Sequence, residues 1–233
     1  MGPFNFIYRF IHRDRIFVKD IIKRLKNIKN PIVLEAGVAN GIATIKFSKL
    51  LPNGQIYDFK PVELNFLTLK EKLKHQNNVR LFKLALGDYN GKNTINISHN
   101  NTNSEDNIAS SSSLLKPKRH SEFYPYITFD KQEEIEVCTI DTWATDNHVD
   151  HIDAMWLDMQ GMEFATLKAS PEIMKTVRVV YSEVNFVETY EGCALYEEYS
   201  NWLFSLGFEL KKTEFLCKDQ GNALFVRKTG NYQ

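Results

Sequence analysis

Residues 32–41 read IVLEAGVANG, an apolar run that passes into three small residues spaced two apart. Ile32-Val33-Leu34 predicts a short buried strand. Gly37, Ala39 and Gly41 would let the backbone approach a ligand closely before a helix begins. The amides at the N-terminus of that helix would then face the ligand. This stretch predicts a loop that joins a strand to a helix and binds a nucleotide-like cofactor.

The acidic residue at the start of this loop indicates which cofactor it binds. Glu35 stands at the end of the strand, where a carboxylate would repel a pyrophosphate but would pair with an ammonium group or order water around it. Methionine carries such an ammonium, whereas a nicotinamide dinucleotide does not. The loop therefore predicts an S-adenosylmethionine site, with contacts to the cofactor from Glu35, Gly37, Val38, Asn40 and Gly41.

Strand and helix patterns alternate along the rest of the chain. Apolar runs predict strands at 55–59, 79–86, 135–137, 152–157 and 177–184 and helices at 42–51, 64–73 and 196–206. This alternation is typical of a parallel sheet with right-handed crossovers and helices on both faces. Two last strands, 208–216 and 223–227, are expected to pair as a hairpin. The sequence predicts a single α/β domain over residues 31–233.

Composition narrows the function classes. The 233 residues have a net charge of +0, which gives no overall attraction to nucleic acid or acidic lipid. Apolar runs such as 177–181 are far too short to span a membrane. Cys138, Cys193 and Cys217 are odd in number and lack metal-like spacing, which favours a reducing, cytoplasmic setting.

Residues 1–30 form a separate basic segment, predicted to be helical and amphipathic. Its basic and acidic residues are Arg9, Arg13, Arg15, Lys19, Lys23, Arg24, Lys26 and Lys29 against Asp14 and Asp20. Such a segment could dock on an anionic membrane or glycan. We favour the alternative that it packs its apolar face on the domain and leaves its lysines in water.

A polar insert at about 99–134 interrupts the alternation. The stretch 100–118, with four consecutive serines at 110–113, is too long for an ordinary connection, so it is either a functional lid or disordered. We favour a lid. His120 follows it and is a candidate general base, the alternative being a solvated histidine beside Lys118 and Arg119.

The ends of the second and third strands are predicted to hold the nucleoside. In residues 57–61, YDFKP, alternation puts Asp58 and Lys60 on one face, so Asp58 could bind ribose hydroxyls with Lys60 at the tip. Alternatively, the two residues form only a local salt bridge. Leu86, Gly87 and Asp88 follow the third strand and are expected to contact adenine.

The third group of candidate residues follows the strand at 152–157. Asp158 ends this central strand, where open α/β sheets place groups that face ligands, and Gln160 projects the same way. Glu183 and Asn185 share a face at the end of the next strand. The cluster of Asp158, Glu183 and Asn185 could orient a hydroxyl, act as a base or hold a divalent cation, and sequence spacing does not choose among these.

The order of these motifs resembles the FkbM-type methyltransferase family. The resemblance is carried by residues 33–41, 59–61, 85–87, 140–141, 157–163 and Glu183. It implies a Rossmann-like class I methyltransferase fold, a mostly parallel seven-stranded sheet whose C-terminal strand is antiparallel. It also implies O-methylation of hydroxyls, often on sugars of glycoconjugates or on secondary metabolites.

Three residues depart from that family's usual pattern. Glu35 stands in place of Asp, which keeps the charge. Lys60 stands where a ribose-binding Glu is usual, so Asp58 would substitute for it or Lys60 would contact a hydroxyl itself. Gln160 replaces a Glu, so it can hydrogen-bond but cannot act as a base.

We therefore expect an S-adenosylmethionine-dependent O-methyltransferase with a small-molecule or glycan acceptor and no nucleic-acid partner. Asp158 or His120 would take the hydroxyl proton, and Gln160 would contact the cofactor. Lys60 keeps two alternatives open. One is a non-catalytic cofactor-binding module. The other is an NAD(P)-dependent oxidoreductase in which Lys60 meets a 2′-phosphate, against which Glu35 and the hairpin-like C-terminus argue.

Overall fold

The structure is a computed structural model that describes residues 16–37, 40–101, 109–215 and 218–228. Its strands are β1 (Ile32–Ala36), β2 (Gln55–Phe59), β3 (Val79–Phe82), β4 (Ala85–Leu86), β5 (Gly91–Asn100), β6 (Ile127–Cys138), β7 (Ala154–Leu157), β8 (Val179–Asn185), β9 (Phe208–Phe215) and β10 (Gln220–Arg227). Its helices are α1 (16–25), α2 (Ile42–Leu50), α3 (Glu63–Leu73), α4 (His120–Phe123), α5 (Ile140–Asp146), α6 (Glu163–Lys168), α7 (Pro171–Thr176) and α8 (Tyr196–Ser205).

Seven strands form one sheet in the order β3-β2-β1-β7-β8-β10-β9. The pairings among β3, β2, β1, β7 and β8 are parallel, whereas β10 runs antiparallel to both of its neighbours. The prediction of a mostly parallel sheet with an antiparallel last strand is confirmed. Strand order reverses between β1 and β7, and in open α/β sheets ligands bind outside the carboxyl ends of the strands at this reversal.

Both faces of the sheet are buried, which explains why its strands read as continuous apolar runs. On one face, Leu34 and Leu157 pack with Trp143 of α5 and Leu203 of α8. On the other face, Trp156 packs with side chains of α1 and α2. Side chains alternate across a strand, so neighbouring residues at the end of β1 face opposite layers. This alternation determines which of the residues at the strand ends can reach a ligand.

The described part of the basic N-terminal segment packs on the sheet. Phe17, Val18, Ile21 and Leu25 are buried in the second layer, and the Phe17 ring lies 4.9 Å from that of Tyr181. The lysines of α1 are exposed. In residues 16–25 the apolar side chains therefore pack on the domain, while residues 1–15 lie outside the described part.

The polar insert contains more regular structure than the sequence indicated. The strand expected over 79–86 divides into β3, in the main sheet, and β4, which joins a second sheet of order β4-β6-β5. Strand β6 begins at Ile127 rather than near residue 135. Its first half was missed because most of its side chains face water, so its polar residues resemble those of a loop. The connection 101–126 between the two long strands contains the short helix α4, and its residues 102–108 lie outside the described part of the chain.

Within the described ranges, every helix is too short or too polar to cross a membrane.

Candidate cofactor cleft and catalytic centre

An open cleft of about 600 Å³ lies at the carboxyl ends of β1, β2 and β7. Its lining residues from the strand ends are Ala36, Gly37, Phe59, Lys60, Leu86, Asp158, Met159 and Gln160. The polar insert contributes Ala109, Ser110, Ser112 and Leu114. The cleft has the mainly apolar lining of small-molecule sites, and it lies where the strand order reverses.

The loop after β1 is held in place by two glycines. Gly37 has a φ of +93°, and a Cβ atom there would lie 1.6 Å from the carbonyl oxygen of Asp158. Gly41, with a φ of +70°, precedes α2, and Asn40 Oδ1 accepts a hydrogen bond from the Ile42 amide at 3.0 Å. Gly37 therefore brings the loop against the end of β7, while Asn40 binds the first amide of α2. Val38 lies outside the described residues.

Glu35 is fully buried, but it does not line the cleft. It follows Leu34 and precedes Ala36, and both of these pack in the layer opposite to that of Val33. Alternation along β1 therefore puts Glu35 on the α2 side of the sheet. The predicted contact of Glu35 with the cofactor ammonium stays a prediction. Asp158 is the carboxylate that the cleft itself presents.

The end of β2 carries a buried ion pair. The Asp58 carboxylate is fully buried and does not line the cleft; it accepts a hydrogen bond from Thr44 Oγ1 at 2.9 Å. The Lys60 ammonium lies 3.4 Å from Asp58 Oδ1, and its side chain lines the cleft. Burial raises the pKa of Asp58, whereas the Lys60 charge and the Thr44 hydrogen bond oppose that rise. The salt bridge is present, and Lys60 is the member of the pair that lines the cleft.

The predicted adenine contacts divide between two clefts. Leu86 lines the main cleft, and Gly87 lets the chain pass close to Val137 Cγ1, which would lie 2.6 Å from a Cβ atom at that position. Asp88 is exposed and lines a neighbouring cleft of about 690 Å³, together with Tyr89 and Glu191. Asp88 is therefore not brought together with the other predicted cofactor residues.

Gln160 bridges the two candidate catalytic carboxylates. Its side-chain nitrogen donates to Asp158 Oδ1 at 2.8 Å and to Glu183 Oε2 at 2.9 Å. Its side-chain oxygen lies 2.9 Å from the Tyr190 hydroxyl, and its main-chain oxygen accepts from Ser113 Oγ at 2.8 Å. Gln160 has a left-handed φ of +55°, a strained conformation that these contacts hold in place.

Tyr190 and Ser113 contact Gln160 and so belong to the candidate catalytic centre around Asp158, Gln160 and Glu183. Neither residue was predicted from the sequence. They lie 30 and 47 residues from Gln160 along the chain, in connections without a recognisable motif. Asn185 shares a face with Glu183 as predicted, but its Oδ1 accepts from Thr189 Oγ1 at 3.0 Å. Among the described residues, no group of three or more His, Cys, Asp or Glu side chains is arranged to hold a metal ion.

Glu163 closes the turn between β7 and α6. Its two oxygens accept from the amides of Met159 at 2.5 Å and Gly161 at 3.0 Å. Burial raises the pKa of Glu163 to about 7, its hydrogen bonds with the main chain lower it, and the nearby Asp158 charge raises it further. Glu163 therefore holds the turn that carries Gln160, and it lies in the first turn of α6.

His120 lies in an aromatic cluster and not in water. It is 2% exposed, and its ring lies 4.9 Å from that of Tyr124, 5.1 Å from Phe129 and 5.4 Å from Tyr190. Burial lowers the pKa of His120 to about 4. The alternative of a solvated histidine is wrong. His120 does not line the cleft, and its ring contacts Tyr190, whose hydroxyl lies beside Gln160.

The chemistry of the cleft fits S-adenosylmethionine. That cofactor carries an ammonium and a sulfonium, and Asp158 is a carboxylate that lines the cleft. Leu86, Ile95 and Leu114 give the cleft an apolar wall of the kind that an adenine ring requires. Lys60 supplies a buried ammonium that, among the described residues, has no hydrogen-bond partner.

Strand order, the cleft at its reversal and the residues in it define a Rossmann-like class I methyltransferase. Solved structures of similar fold include EvdMO1, with a TM-score of 0.51 and 12% identity over 95% of this chain and 41% of that one. Another is the pre-rRNA processing protein fibrillarin from Methanococcus jannaschii, with a TM-score of 0.50 and 10% identity over 85% of this chain and 67% of that one.

The family is identified by the match of the sequence to a family model. The model of the methyltransferase FkbM domain matches residues 35–210, and the chain belongs to this family of S-adenosylmethionine-dependent methyltransferases. A curated relative, the 2-O-methyltransferase NoeI of Sinorhizobium fredii (strain NBRC 101917 / NGR234), is 28% identical over 163 residues, which cover 70% of this chain and 67% of NoeI. The methyltransferase prediction is confirmed, and the oxidoreductase alternative is not supported.

Proposed function

We propose that this enzyme transfers the methyl group of S-adenosylmethionine to a hydroxyl oxygen of a carbohydrate or glycoconjugate. The observation that carries the proposal is the pair of carboxylates Asp158 and Glu183, which the Gln160 amide holds together and of which Asp158 lines the cleft. A similar protein, NoeI, is named as a 2-O-methyltransferase. A hydroxyl acceptor must lose a proton, and this centre offers acceptors for it.

Cofactor binding is assigned to the strand ends and the loop after β1. Gly37 permits the close approach of that loop, and Leu86 and Lys60 line the cleft, where Leu86 is proposed to contact adenine. Glu35, Val38, Asn40, Gly41 and Gln160 remain proposed contributors around the methionine end. When bound, the cofactor supplies an electrophilic methyl group on a sulfonium.

Asp158 is the proposed general base. It lines the cleft, and Gln160 fixes one oxygen of its carboxylate, which orients the other. Glu183 is held by the same amide and is proposed to orient the acceptor hydroxyl. His120 is the weaker candidate because its pKa of about 4 makes it a poor proton acceptor and because it does not line the cleft. Positioning supplies much of the rate in such an in-line displacement.

The polar insert is proposed to act as the lid. Ala109, Ser110, Ser112 and Leu114 form part of the cleft wall, and Ser113 Oγ donates to the main-chain oxygen of Gln160. These contacts tie the insert to the catalytic centre. A lid at this place would exclude water that competes for hydrogen bonds with the acceptor.

The proposal is tested with a cofactor labelled on its methyl group and a panel of mono- and oligosaccharides. We expect transfer of label to saccharides, with the new methyl resonance in the NMR range of methoxy groups. Binding of S-adenosylhomocysteine measured by calorimetry serves as the control for a competent cofactor site. Transfer to nitrogen or carbon, or no binding of S-adenosylhomocysteine, would contradict the proposal.

A further inference from the structure

The ammonium of Lys60 is buried at the cofactor cleft with part of its hydrogen-bonding capacity unused. The residue is 2% exposed and lines the cleft, and its main-chain amide donates to the Phe82 oxygen at 2.9 Å, which extends the β2–β3 pairing. Its one ionic partner among the described residues is Asp58, at 3.4 Å. An ammonium has three N–H donors, and no hydrogen bond to a described residue uses them.

Asp58 and Thr44 fix where that ammonium lies. Asp58 is fully buried between β2 and α2, and Thr44 Oγ1 donates to its Oδ2 at 2.9 Å. The other oxygen faces Lys60. Removing an ammonium from water costs several kcal/mol unless a counter-charge is near, and Asp58 provides that charge. The carboxylate is thus held away from the cleft, while the lysine extends toward it.

The charge of the pair selects the kind of ligand. Asp58 and Lys60 together are neutral, so a phosphate dianion at Lys60 would also meet the field of Asp58. A neutral hydroxyl accepts from the ammonium without that repulsion. Hydroxyls both donate and accept hydrogen bonds, so a donor can serve a ribose as well as a carboxylate can.

We infer that Lys60 donates hydrogen bonds to the ribose hydroxyl oxygens of the cofactor, with Asp58 and Thr44 as positioning residues. This inference rests on the proposed function, because it takes S-adenosylmethionine as the ligand of the cleft. It assigns the recognition of ribose to a buried, neutralised lysine in place of a carboxylate acceptor.

The test is a thermodynamic cycle that combines a substitution of Lys60 with the removal of one ribose hydroxyl from the ligand. S-adenosylhomocysteine and its 2′-deoxy and 3′-deoxy analogues are titrated by calorimetry into the wild type and Lys60→Met. We expect the wild type to bind at least one deoxy analogue about tenfold more weakly, as for one hydrogen bond to a charged group. Lys60→Met should bind the parent about tenfold more weakly and show no further loss for that analogue.

Two further variants keep the result interpretable. Lys60→Met leaves Asp58 without its counter-charge, so the double variant Asp58→Asn/Lys60→Met, which removes both charges, should fold and still lack the discrimination. Lys92→Met removes an exposed lysine that pairs with Glu134 and should bind all ligands as the wild type does.

The two possible failures are distinct. If the wild type binds the parent ligand and both lysine variants retain the full discrimination against the deoxy analogues, the inference is overturned and the proposed function stands. If the wild type does not bind S-adenosylhomocysteine at all, the proposed function itself fails.

Discussion

The backbone at Gly37 lies so close to Asp158 that a Cβ atom at residue 37 would be 1.6 Å from the Asp158 carbonyl oxygen. The Asp158 amide also donates to the Ala36 oxygen at 2.9 Å. The loop that we assign to the cofactor and the strand end that carries the proposed base therefore form one packed unit. A displacement of the loop after β1 would therefore also move the end of β7 that carries Asp158.

Substituting Gly37 by Ala should abolish cofactor binding and destabilise the fold. The new methyl group meets main-chain atoms that cannot move aside, and φ at +93° is unfavourable for any L-residue. We expect a loss of about 3 kcal/mol or more in the free energy of unfolding, measured by urea denaturation, and no detectable binding of S-adenosylhomocysteine.

Gly192→Ala is the matched control for that variant. Gly192 has a φ of +76° but nothing within 4 Å of a Cβ atom, so it isolates the backbone strain of about 1 to 2 kcal/mol. It should bind the cofactor product normally. Equal losses in the two variants would show that the contact with Asp158 does not matter.

Gln160→Glu should raise the pH at which the enzyme becomes active. The amide nitrogen that donates to Asp158 and Glu183 would become an oxygen, so three carboxylates would share the centre. Like charges raise each other's pKa, so the acidic limb of the kcat/KM profile should move to higher pH. Gln132→Glu, at an exposed position, should leave the profile unchanged. An unshifted profile for Gln160→Glu would refute the bridging role.

The buried His120 should cause the free energy of unfolding to decrease as the pH falls. Its folded pKa of about 4 lies below the ordinary value of 6.5, so the unfolded chain binds the proton more readily. The contribution of His120 to stability is complete above pH 6.5 and is lost as the pH falls toward 4. Between pH 7 and 5 this loss amounts to about 2 kcal/mol.

His120→Phe tests this prediction and the catalytic role of His120 together. A phenyl ring suits the cluster of Tyr124, Phe129 and Tyr190 and does not titrate. The variant should lose less stability than the wild type between pH 7 and 5 in denaturation curves, and it should keep kcat within about threefold, since general bases contribute at least a hundredfold. Exposed His75→Phe should follow the wild-type pH dependence. A loss of kcat in folded His120→Phe would instead identify the histidine as the base.

The sequence predicted the sheet well because buried strands and glycine-ended loops carry local signals. The runs at 32–36 and 154–157 are mostly apolar and buried on both faces, and both lie at the centre of the sheet. Strand β6 gave a weak signal because its first half faces water, and β4 was merged with β3 because only Lys83 and Leu84 separate them.

The site was predicted in part, and the limits follow from side-chain direction and long-range contact. Asp158, Gln160 and Glu183 do meet, as strand-end positions imply. Asp58 and Glu35 were expected to meet the ligand, but both are fully buried and neither lines the cleft. Tyr190 joins the centre from a distant connection, which a single sequence does not encode in any short spacing.

Asp158→Asn tests the central claim most directly, because the exchange keeps the shape of the side chain and removes only its basicity. With an acceptor identified from the saccharide panel, kcat should fall by a factor of about 10² to 10⁴, the usual contribution of a general base. Calorimetry should show that S-adenosylhomocysteine still binds within about tenfold of the wild type. A folded Asp158→Asn enzyme with undiminished kcat, or one whose whole defect is lost cofactor binding, would contradict the assignment of Asp158 as the base that takes the acceptor proton.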